Sequence, residues 1–268
     1  MKKPILTLLT DFGARDHYVA AMKGVIVGIC PEARLVDITH EISAYAITEA
    51  AYTLAQAAPC FPRGTVHLVV VDPGVGSARR PLLAEALGFR FIAPDNGVLT
   101  IILNADPKHR VREITAEKFF RIPVSRTFHG RDIFAPVAAH VASGIPPAGF
   151  GPQIEDHLRL NIDKPVRTAR RGWTGTILKI DRFGNIVTNF EWSAFGQMLA
   201  QDFVMQVGLR CVARLAENYS AITPGELCAV EGSAGYIEIS AREASAAAIL
   251  GVAAGAPVEL RIGTSSAF

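Results

Sequence analysis

A carboxylate, a guanidinium and several glycines stand close together in VVVDPGVGSARR, residues 69–80. Asp72 follows a run of valines, and Arg79 comes after Gly74 and Gly76. A guanidinium beside a carboxylate keeps that carboxylate ionised and oriented, as a proton acceptor in catalysis must be. Asp-Pro-Gly is equally typical of an ordinary turn, because Pro fixes φ and Gly accepts positive φ. Alone, this stretch favours the turn, so its function depends on the rest of the chain.

Four aspartates stand where predicted strands end, namely Asp11, Asp37, Asp72 and Asp95. In open parallel sheets, ligands bind in the crevice outside the carboxyl ends of the strands. Acidic side chains at these positions therefore indicate a binding or catalytic site. Taken singly, each aspartate is more typical of a turn or a helix cap.

The composition excludes several function classes. Lys plus Arg number 27 against 25 Asp plus Glu, a formal net charge of +2, and no basic run indicates a nucleic-acid partner. No stretch reaches the ~18 apolar residues of a membrane span. The four cysteines lack metal-ligand spacing and favour free thiols in a reducing compartment. We therefore expect a cytoplasmic protein with neither a nucleic-acid nor a membrane partner.

The first half of the chain alternates between strand and helix patterns. The strand patterns ILTLL, ARLVDI and TVHLVVVD are separated by the helix patterns HYVAAMKGVIVGIC and AITEAAYTLAQAA. A strand (GFRFIAPD), a short helix (NGVLTIILN) and a longer helix (DIFAPVAAHVASG) follow. This βαβαβ order predicts a mostly parallel sheet with helices on both faces.

The second half has a different character. Residues 144–171 are rich in Pro, Gly and charge, which predicts a linker. Short strand patterns then follow one another, which predicts a small barrel or sandwich. We expect an α/β chain with an N-terminal α/β catalytic domain at residues 1–165 and a smaller β-barrel-like C-terminal domain at residues 172–268.

Five local patterns together carry a family resemblance. They are TDFGARDHYVAAMKG (10–24), VVVDPGVGSARR (69–80), APDNGVLT (93–100), TFHGRDIFAP (127–136) and DRFGNIVTN (181–189). This combination closely resembles the S-adenosylmethionine hydroxide adenosyltransferases, which are relatives of the fluorinases and chlorinases. The resemblance spans nearly the whole chain.

The resemblance implies an enzyme that hydrolyses S-adenosylmethionine at the ribose C5′, giving adenosine and L-methionine, with no metal and no cofactor. The family's catalytic Asp, Arg and His fall on Asp72, Arg79 and His129. This chemistry needs no acid at sulfur, because a sulfonium departs as a neutral thioether. It needs a held and activated water, which Asp72 and His129 are suited to provide. The sequence leaves open which of the two accepts the water's proton.

The N-terminal residues that the resemblance assigns to substrate binding begin with Asp11, as the carboxylate that accepts from the ribose hydroxyls. Asp16 is its neighbour in the motif, and an N-cap of the following helix is an equally good interpretation of it. Tyr45 stands where the halogenating relatives have tryptophan. Asp95 and Asn96 either line the pocket or form a turn.

The C-terminal residues fall on the DRFGN motif and on the segment that begins at Ser233. Phe183 and Asn185 match adenine-contacting positions, and Asp181 matches the ligand of the methionine amine. Ser233 opens a strand pattern that is expected to add backbone contacts.

The resemblance further implies a homotrimer, with each site between the N-terminal domain of one subunit and the C-terminal domain of another. Two rival functions remain at this point. One is halide-dependent adenosyl transfer, which Asp72 and Gly130 disfavour because a carboxylate repels a bare anion. The other is a non-catalytic nucleoside-binding or sensor module, which does not require Asp72, Arg79 and His129 together.

Overall fold

The computed structural model describes residues 3–160 and 164–263. The chain divides into two compact units, Met1–Asn161 and Ile162–Phe268. Among the described residues, no helix combines the length and apolarity that crossing a membrane requires.

The N-terminal unit alternates strands with helices along most of its length. Its strands are β1 (Ile5–Thr10), β2 (Arg34–Thr39), β3 (Val66–Val70), β4 (Pro81–Ala86), β5 (Phe89–Pro94), β6 (Arg110–Glu113) and β7 (Gln153–Ile154). Its helices are α1 (Tyr18–Ile29), α2 (Ile47–Ala57), α3 (Thr100–Asn104) and α4 (Ala135–Ala142), with a π-helical turn at Gly130–Phe134 directly before α4.

The seven strands form one mixed sheet in the order β2-β1-β3-β5-β4-β6-β7. Neighbouring strands from β2 to β5 pair in parallel, and β4, β6 and β7 add antiparallel pairs at the other side. Because parallel strands end at the same edge, the carboxyl ends of β1, β3 and β5 are neighbours. Asp11, Asp72 and Asp95 therefore emerge from adjacent strands.

Both faces of this sheet are covered, as the run of apolar residues in β3 predicts. Every residue of β3 is buried, which is typical of a central parallel strand. On one face, Leu6 and Leu68 join a cluster with side chains of α1 and α4, including Met22 and Val137. The residues that alternate with them along each strand face the opposite side of the sheet.

The C-terminal unit is an antiparallel β-structure. Its strands are β8 (Val166–Ala169), β9 (Gly172–Ile180), β10 (Ile186–Glu191), β11 (Phe203–Val207), β12 (Arg210–Val212), β13 (Leu227–Glu231), β14 (Tyr236–Ala241) and β15 (Pro257–Ile262), with short helices α5 (Trp192–Phe195) and α6 (Ala246–Leu250). The order is β12-β11-β15-β9-β10-β14-β13, with β8 beside β9. A bridge between Leu215, after β12, and Ala229 in β13 brings the two ends of the sheet together. The nearly closed, barrel-like arrangement and the mixed sheet confirm the predicted fold class.

Several elements differ from the sequence-based expectations. The strands β4, β6 and β7 were not predicted. PLLAEA in β4 consists largely of residues that favour helix, and it forms a strand because it pairs with β5 and β6. The linker predicted at residues 144–171 is also wrong in its extent, because β7 and β8 lie within it.

Candidate functional site

Residues 71–80 leave the carboxyl end of β3 and return as β4. Gly76 has φ +79°, and a Cβ at this position would lie 2.4 Å from the carbonyl oxygen of Arg126. Only glycine allows this conformation and this close approach at the same time. The local glycine pattern therefore shapes a compact loop that turns Arg79 back toward Asp72.

Arg79 joins the other two predicted catalytic residues. Its Nε donates to both carboxylate oxygens of Asp72, at 2.9 and 3.0 Å, and its Nη2 donates to Oδ2. The same Nη2 lies 3.0 Å from Nδ1 of His129. The structure thus brings Asp72, Arg79 and His129 into one hydrogen-bonded group, although His129 comes from a different part of the chain.

Both members of the Arg79–Asp72 pair are shielded from solvent. The side chains of Asp72 and Arg79 are 5% and 8% exposed. The guanidinium carbon of Arg79 stacks over the ring of Phe134, 4.8 Å from its centroid. A shielded and stacked guanidinium has little freedom to move, so the Asp72 carboxylate that it holds is fixed as well.

His129 lies immediately before the π-helical turn that leads into α4. Burial and the charge of Arg79 lower its pKa below 6.5, against the opposing charges of Asp72 and Asp132. The ring is therefore neutral at neutral pH. An arginine can only donate, so Nδ1 accepts from Arg79 and the ring proton of neutral His129 resides on Nε2.

Asp11 and Tyr45 also come together. Asp11 follows β1, and its Oδ2 accepts a hydrogen bond from the backbone N–H of Tyr45 at 2.9 Å. Tyr45 has a left-handed backbone with φ +67° and an exposed ring, a conformation that costs energy for a residue other than glycine. Helix α1 begins at Tyr18 with His17 at its N-cap and no capping side chain, so Asp16 is not the cap that the sequence allowed.

Asp95 and Asn96 form internal contacts. Asp95 is 3% exposed, and its carboxylate accepts from Arg80 and from the backbone N–H of Leu158. The side chain of Asn96 donates to the carbonyl of Val71. Of the two interpretations that the sequence left open, these contacts favour the structural one.

In the C-terminal unit, Asp181 organises the DRFGN turn. Its Oδ1 accepts from the backbone N–H groups of Phe183 and Asn185, at 2.8 and 2.9 Å, and its Oδ2 accepts from the Asn185 side chain at 2.9 Å. Gly184 has φ +85° and packs against Ser245, so a side chain there would collide. The turn leaves Phe183 76% exposed, an aromatic face available to a flat ligand.

A cavity of about 510 Å³ opens beside this turn. The residues that line it are Phe183, Asn185, Tyr219, Ala241, Glu243, Ala244 and Ser245. Ser233 is not among them; it is exposed in the turn between β13 and β14.

Sequence reasoning missed Tyr219, whose hydroxyl donates to Glu238 at 3.1 Å. Burial and the neighbouring Glu238 raise its pKa to about 12. Tyr219 lies outside every motif, so no local pattern pointed to it.

An aromatic cluster next to His129 was also missed. The ring of Phe128 lies 5.0 Å from Tyr18 and 6.2 Å from Phe12, and these residues line a cavity of about 340 Å³. Phe12 and Tyr18 both belong to the TDFGARDHY motif, so the aromatic residues of that motif could have indicated this cluster.

Two family models match the two halves of the chain. The SAM hydroxide adenosyltransferase N-terminal domain matches residues 6–151, and the corresponding C-terminal domain matches residues 175–259. The chain belongs to the SAM hydroxide adenosyltransferase family. The matched ranges contain the Asp72–Arg79–His129 group and the Asp181 turn.

Individual relatives agree with that placement. A protein from Thermus thermophilus named (R)-S-adenosyl-L-methionine hydrolase is 38% identical, over 94% of this chain and 97% of its own. A fluorinase from Nocardia brasiliensis is 26% identical, over 98% of both chains. The crystal structure of an uncharacterized conserved protein from Thermotoga maritima has a TM-score of 0.88 and 36% identity, over 96% of this chain and 99% of that one.

Proposed function

We propose that this chain hydrolyses S-adenosyl-L-methionine at the ribose C5′, releasing adenosine and L-methionine. The observation that carries the proposal is the hydrogen-bonded group in which Arg79 joins Asp72 to His129. A nucleoside-binding sensor needs no such group, because binding requires neither a proton acceptor nor an oriented water. The name of the relative, (R)-S-adenosyl-L-methionine hydrolase, supports an (R) configuration at the sulfonium of the substrate.

The reaction is a displacement at C5′ by water. A bond forms between the water oxygen and C5′ while the C5′–S bond breaks, and its electron pair neutralises the sulfonium to a thioether. The water loses one proton. Bulk water is a poor nucleophile, with a pKa of about 15.7, so the site must hold it in line and accept that proton.

We assign the proton to Asp72. Neutral His129 has its Nδ1 lone pair occupied by Arg79 and its proton on Nε2, so it donates to the water and orients it. Arg79 binds both Asp72 oxygens along one edge, with one donor on Oδ1 and two on Oδ2, so Oδ1 keeps a further lone pair for the water. This division of roles is our proposal for the choice between Asp72 and His129 that the sequence left open.

Binding is assigned to groups on both units. Asp11 accepts from the ribose hydroxyls, with Asp16 and Tyr45 beside it. Phe183 and Asn185 hold adenine, Asp181 holds the methionine amine, and Ser233 adds a contact. The proposal retains the catalytic domain at residues 1–165 and the adenine- and methionine-binding domain at 172–268. It requires no metal and no cofactor.

The proposal includes a homotrimer in which the N-terminal domain of one subunit and the C-terminal domain of another form each site. Two variants that are inactive alone, Asp72→Asn and Asp181→Ala, should regain part of the activity when they are co-expressed. Only subunits of a mixed oligomer can combine one intact half-site from each chain. Light scattering should give three times the mass of the chain.

The compartment proposed is the cytoplasm, which is supported by four free cysteines in the structure.

The deciding experiment is incubation with S-adenosylmethionine in ¹⁸O-labelled water with excess chloride or fluoride. Mass spectrometry should find adenosine with the label at its 5′-oxygen and no halogenated nucleoside. A halide beside Asp72 meets a like charge, and two charges ~4 Å apart repel by about 4 kcal/mol at an intermediate dielectric. The Asp72→Asn variant, purified in parallel, excludes a contaminating hydrolase. A 5′-halogenated product, or no product, contradicts the proposal.

A further inference from the structure

We propose that Asp95 and Asn96 are positioning residues that hold the two ends of the loop carrying Asp72 and Arg79. This inference rests on the proposed function, because it explains how that site is kept in its reactive geometry. Asp95 and Asn96 follow β5, which is the parallel neighbour of β3. The loop runs from Val71, directly after β3, to Arg80, directly before β4, and each end meets one of these two consecutive residues.

Asn96 holds the first end. The β3–β5 ladder has its last registered pair at Leu68 and Ile92. Pro94 then has no N–H to donate to the neighbouring strand. The Nδ2 of Asn96 instead donates to the carbonyl of Val71 at 2.8 Å. That carbonyl belongs to the peptide group whose nitrogen is that of Asp72, so the bond fixes the direction in which the Asp72 side chain leaves the backbone.

Asp95 holds the second end through both its backbone and its side chain. Its N–H donates to the carbonyl of Arg80 at 2.8 Å. Its Oδ2 accepts from Nε and Nη2 of Arg80 at 3.0 and 2.8 Å. Arg80 is the residue after Arg79, so fixing its main chain and guanidinium sets the point from which Arg79 reaches toward Asp72.

The loop depends on such anchors because its own hydrogen bonds are local. Val75 N–H donates to the carbonyl of Asp72, and Ser77 N–H donates to that of Gly74. These bonds shape the loop without fixing it against the sheet. Asp95 and Asn96 supply that link from the next strand.

The polar atoms of both side chains are already engaged within the chain, as a positioning role requires. Asn96 Oδ1 accepts from the N–H of Val98 at 3.2 Å, while its Nδ2 is bound to Val71. Asp95 Oδ1 accepts from the N–H of Leu158 at 2.7 Å, while its Oδ2 is bound to Arg80. Each polar atom of the two side chains therefore has a partner within the chain.

The test compares Asn96→Ala with Asn104→Ala, the same substitution at an exposed position at the end of α3. For Asn96→Ala we expect kcat to fall ~10- to 100-fold, since a displacement of about 1 Å can cost that much. The dissociation constant for adenosine should stay within about twofold. Amide hydrogen exchange of residues 71–80 should accelerate, while exchange in the C-terminal unit stays unchanged. Asp95→Asn, which keeps an acceptor for Leu158, should also accelerate exchange at the Arg80 end.

Two results would overturn the inference. Weaker adenosine binding with an unchanged kcat would make Asn96 a substrate contact. Unchanged kcat and unchanged exchange would mean that the loop is held without it. The exchange measurement does not depend on catalysis. If the wild-type protein releases no adenosine, the proposed function is contradicted, but this test can still be carried out.

Discussion

Arg79 and Arg80 are consecutive residues, and each holds the carboxylate that follows one of two neighbouring strands. Arg80 binds Asp95 and Asp156, and Asp95 is further bound by the N–H of Leu158. Arg79 binds Asp72 along one edge only and extends to His129. The two pairs have the same chemistry, and the difference lies in their further partners. Asp95 is also bound by a backbone N–H and Arg80 by a second carboxylate, while the Arg79–Asp72 pair extends to a histidine.

The substitution with the largest expected effect is Asp72→Asn, which tests the catalytic role of the Arg79–Asp72 pair. The amide still accepts hydrogen bonds but cannot take a proton, so the single-turnover rate should fall ~10²- to 10⁴-fold. Adenosine affinity, measured by calorimetry, should stay within about twofold. Asp106→Asn is the matched control, because Asp106 binds the N–H of Leu87 in the β4–β5 hairpin at the opposite edge of the sheet. Unchanged chemistry in Asp72→Asn would remove its assigned role.

Arg79→Met separates the charge of the arginine from its bulk. We expect a rate loss of about 10²-fold, because Asp72 loses its orientation. The pKa of His129 should rise, since burial remains but the lowering contributed by Arg79 is removed. In wild type, the lowered pKa keeps His129 neutral at neutral pH, so its protonation should reduce activity only on acidification. In the variant, that protonation should begin at a higher pH. NMR titration of the imidazole reports this without turnover, with Arg34→Met as control, and an unmoved pKa would contradict the contact.

Asp11 follows β1, which is the other parallel neighbour of β3. Its assigned role is to bind the ribose, so its substitution should affect binding and differ from a change in either arginine pair. Asp11→Ala is expected to weaken adenosine binding roughly 10- to 150-fold, which corresponds to ~1.5 to 3 kcal/mol for a charged hydrogen-bond acceptor. Titration with 2′-deoxyadenosine is the matched ligand control. If the wild-type protein binds adenosine and 2′-deoxyadenosine equally well, Asp11 does not bind the ribose hydroxyls.

The smallest effect is expected from Asp156→Asn, at the outer end of the Arg80–Asp95 pair. The Asp156 side chain is 77% exposed, and exposed ion pairs contribute about 0 to 1 kcal/mol. Thermal unfolding should therefore shift little, and kcat should stay within about twofold because Asp95 still holds Arg80. A loss comparable to that of Asp72→Asn would erase the distinction between the two pairs.

Much of the fold could be predicted from local patterns. The alternation of β1, α1, β2, α2 and β3 is present in the sequence as alternating apolar periodicity, which depends only on nearby residues. Strand β4 could not be predicted in this way. Its Ala, Leu and Glu favour helix by themselves, and pairing with β5 and β6 outweighs that preference.

The sequence by itself determined the family and named the candidate site residues. Asp72, Arg79 and His129 stand in motifs whose combination resembles that family, and the resemblance implies hydrolysis of a sulfonium. Only the tertiary structure decided that Arg79 faces His129 while Arg80 faces Asp95, and that Asp95 and Asn96 hold the loop. These are contacts between residues distant in the chain, such as Arg79 and His129 at a separation of 50. Sequence spacing carries no information about their direction, because the packing of strands and helices fixes which side chains meet.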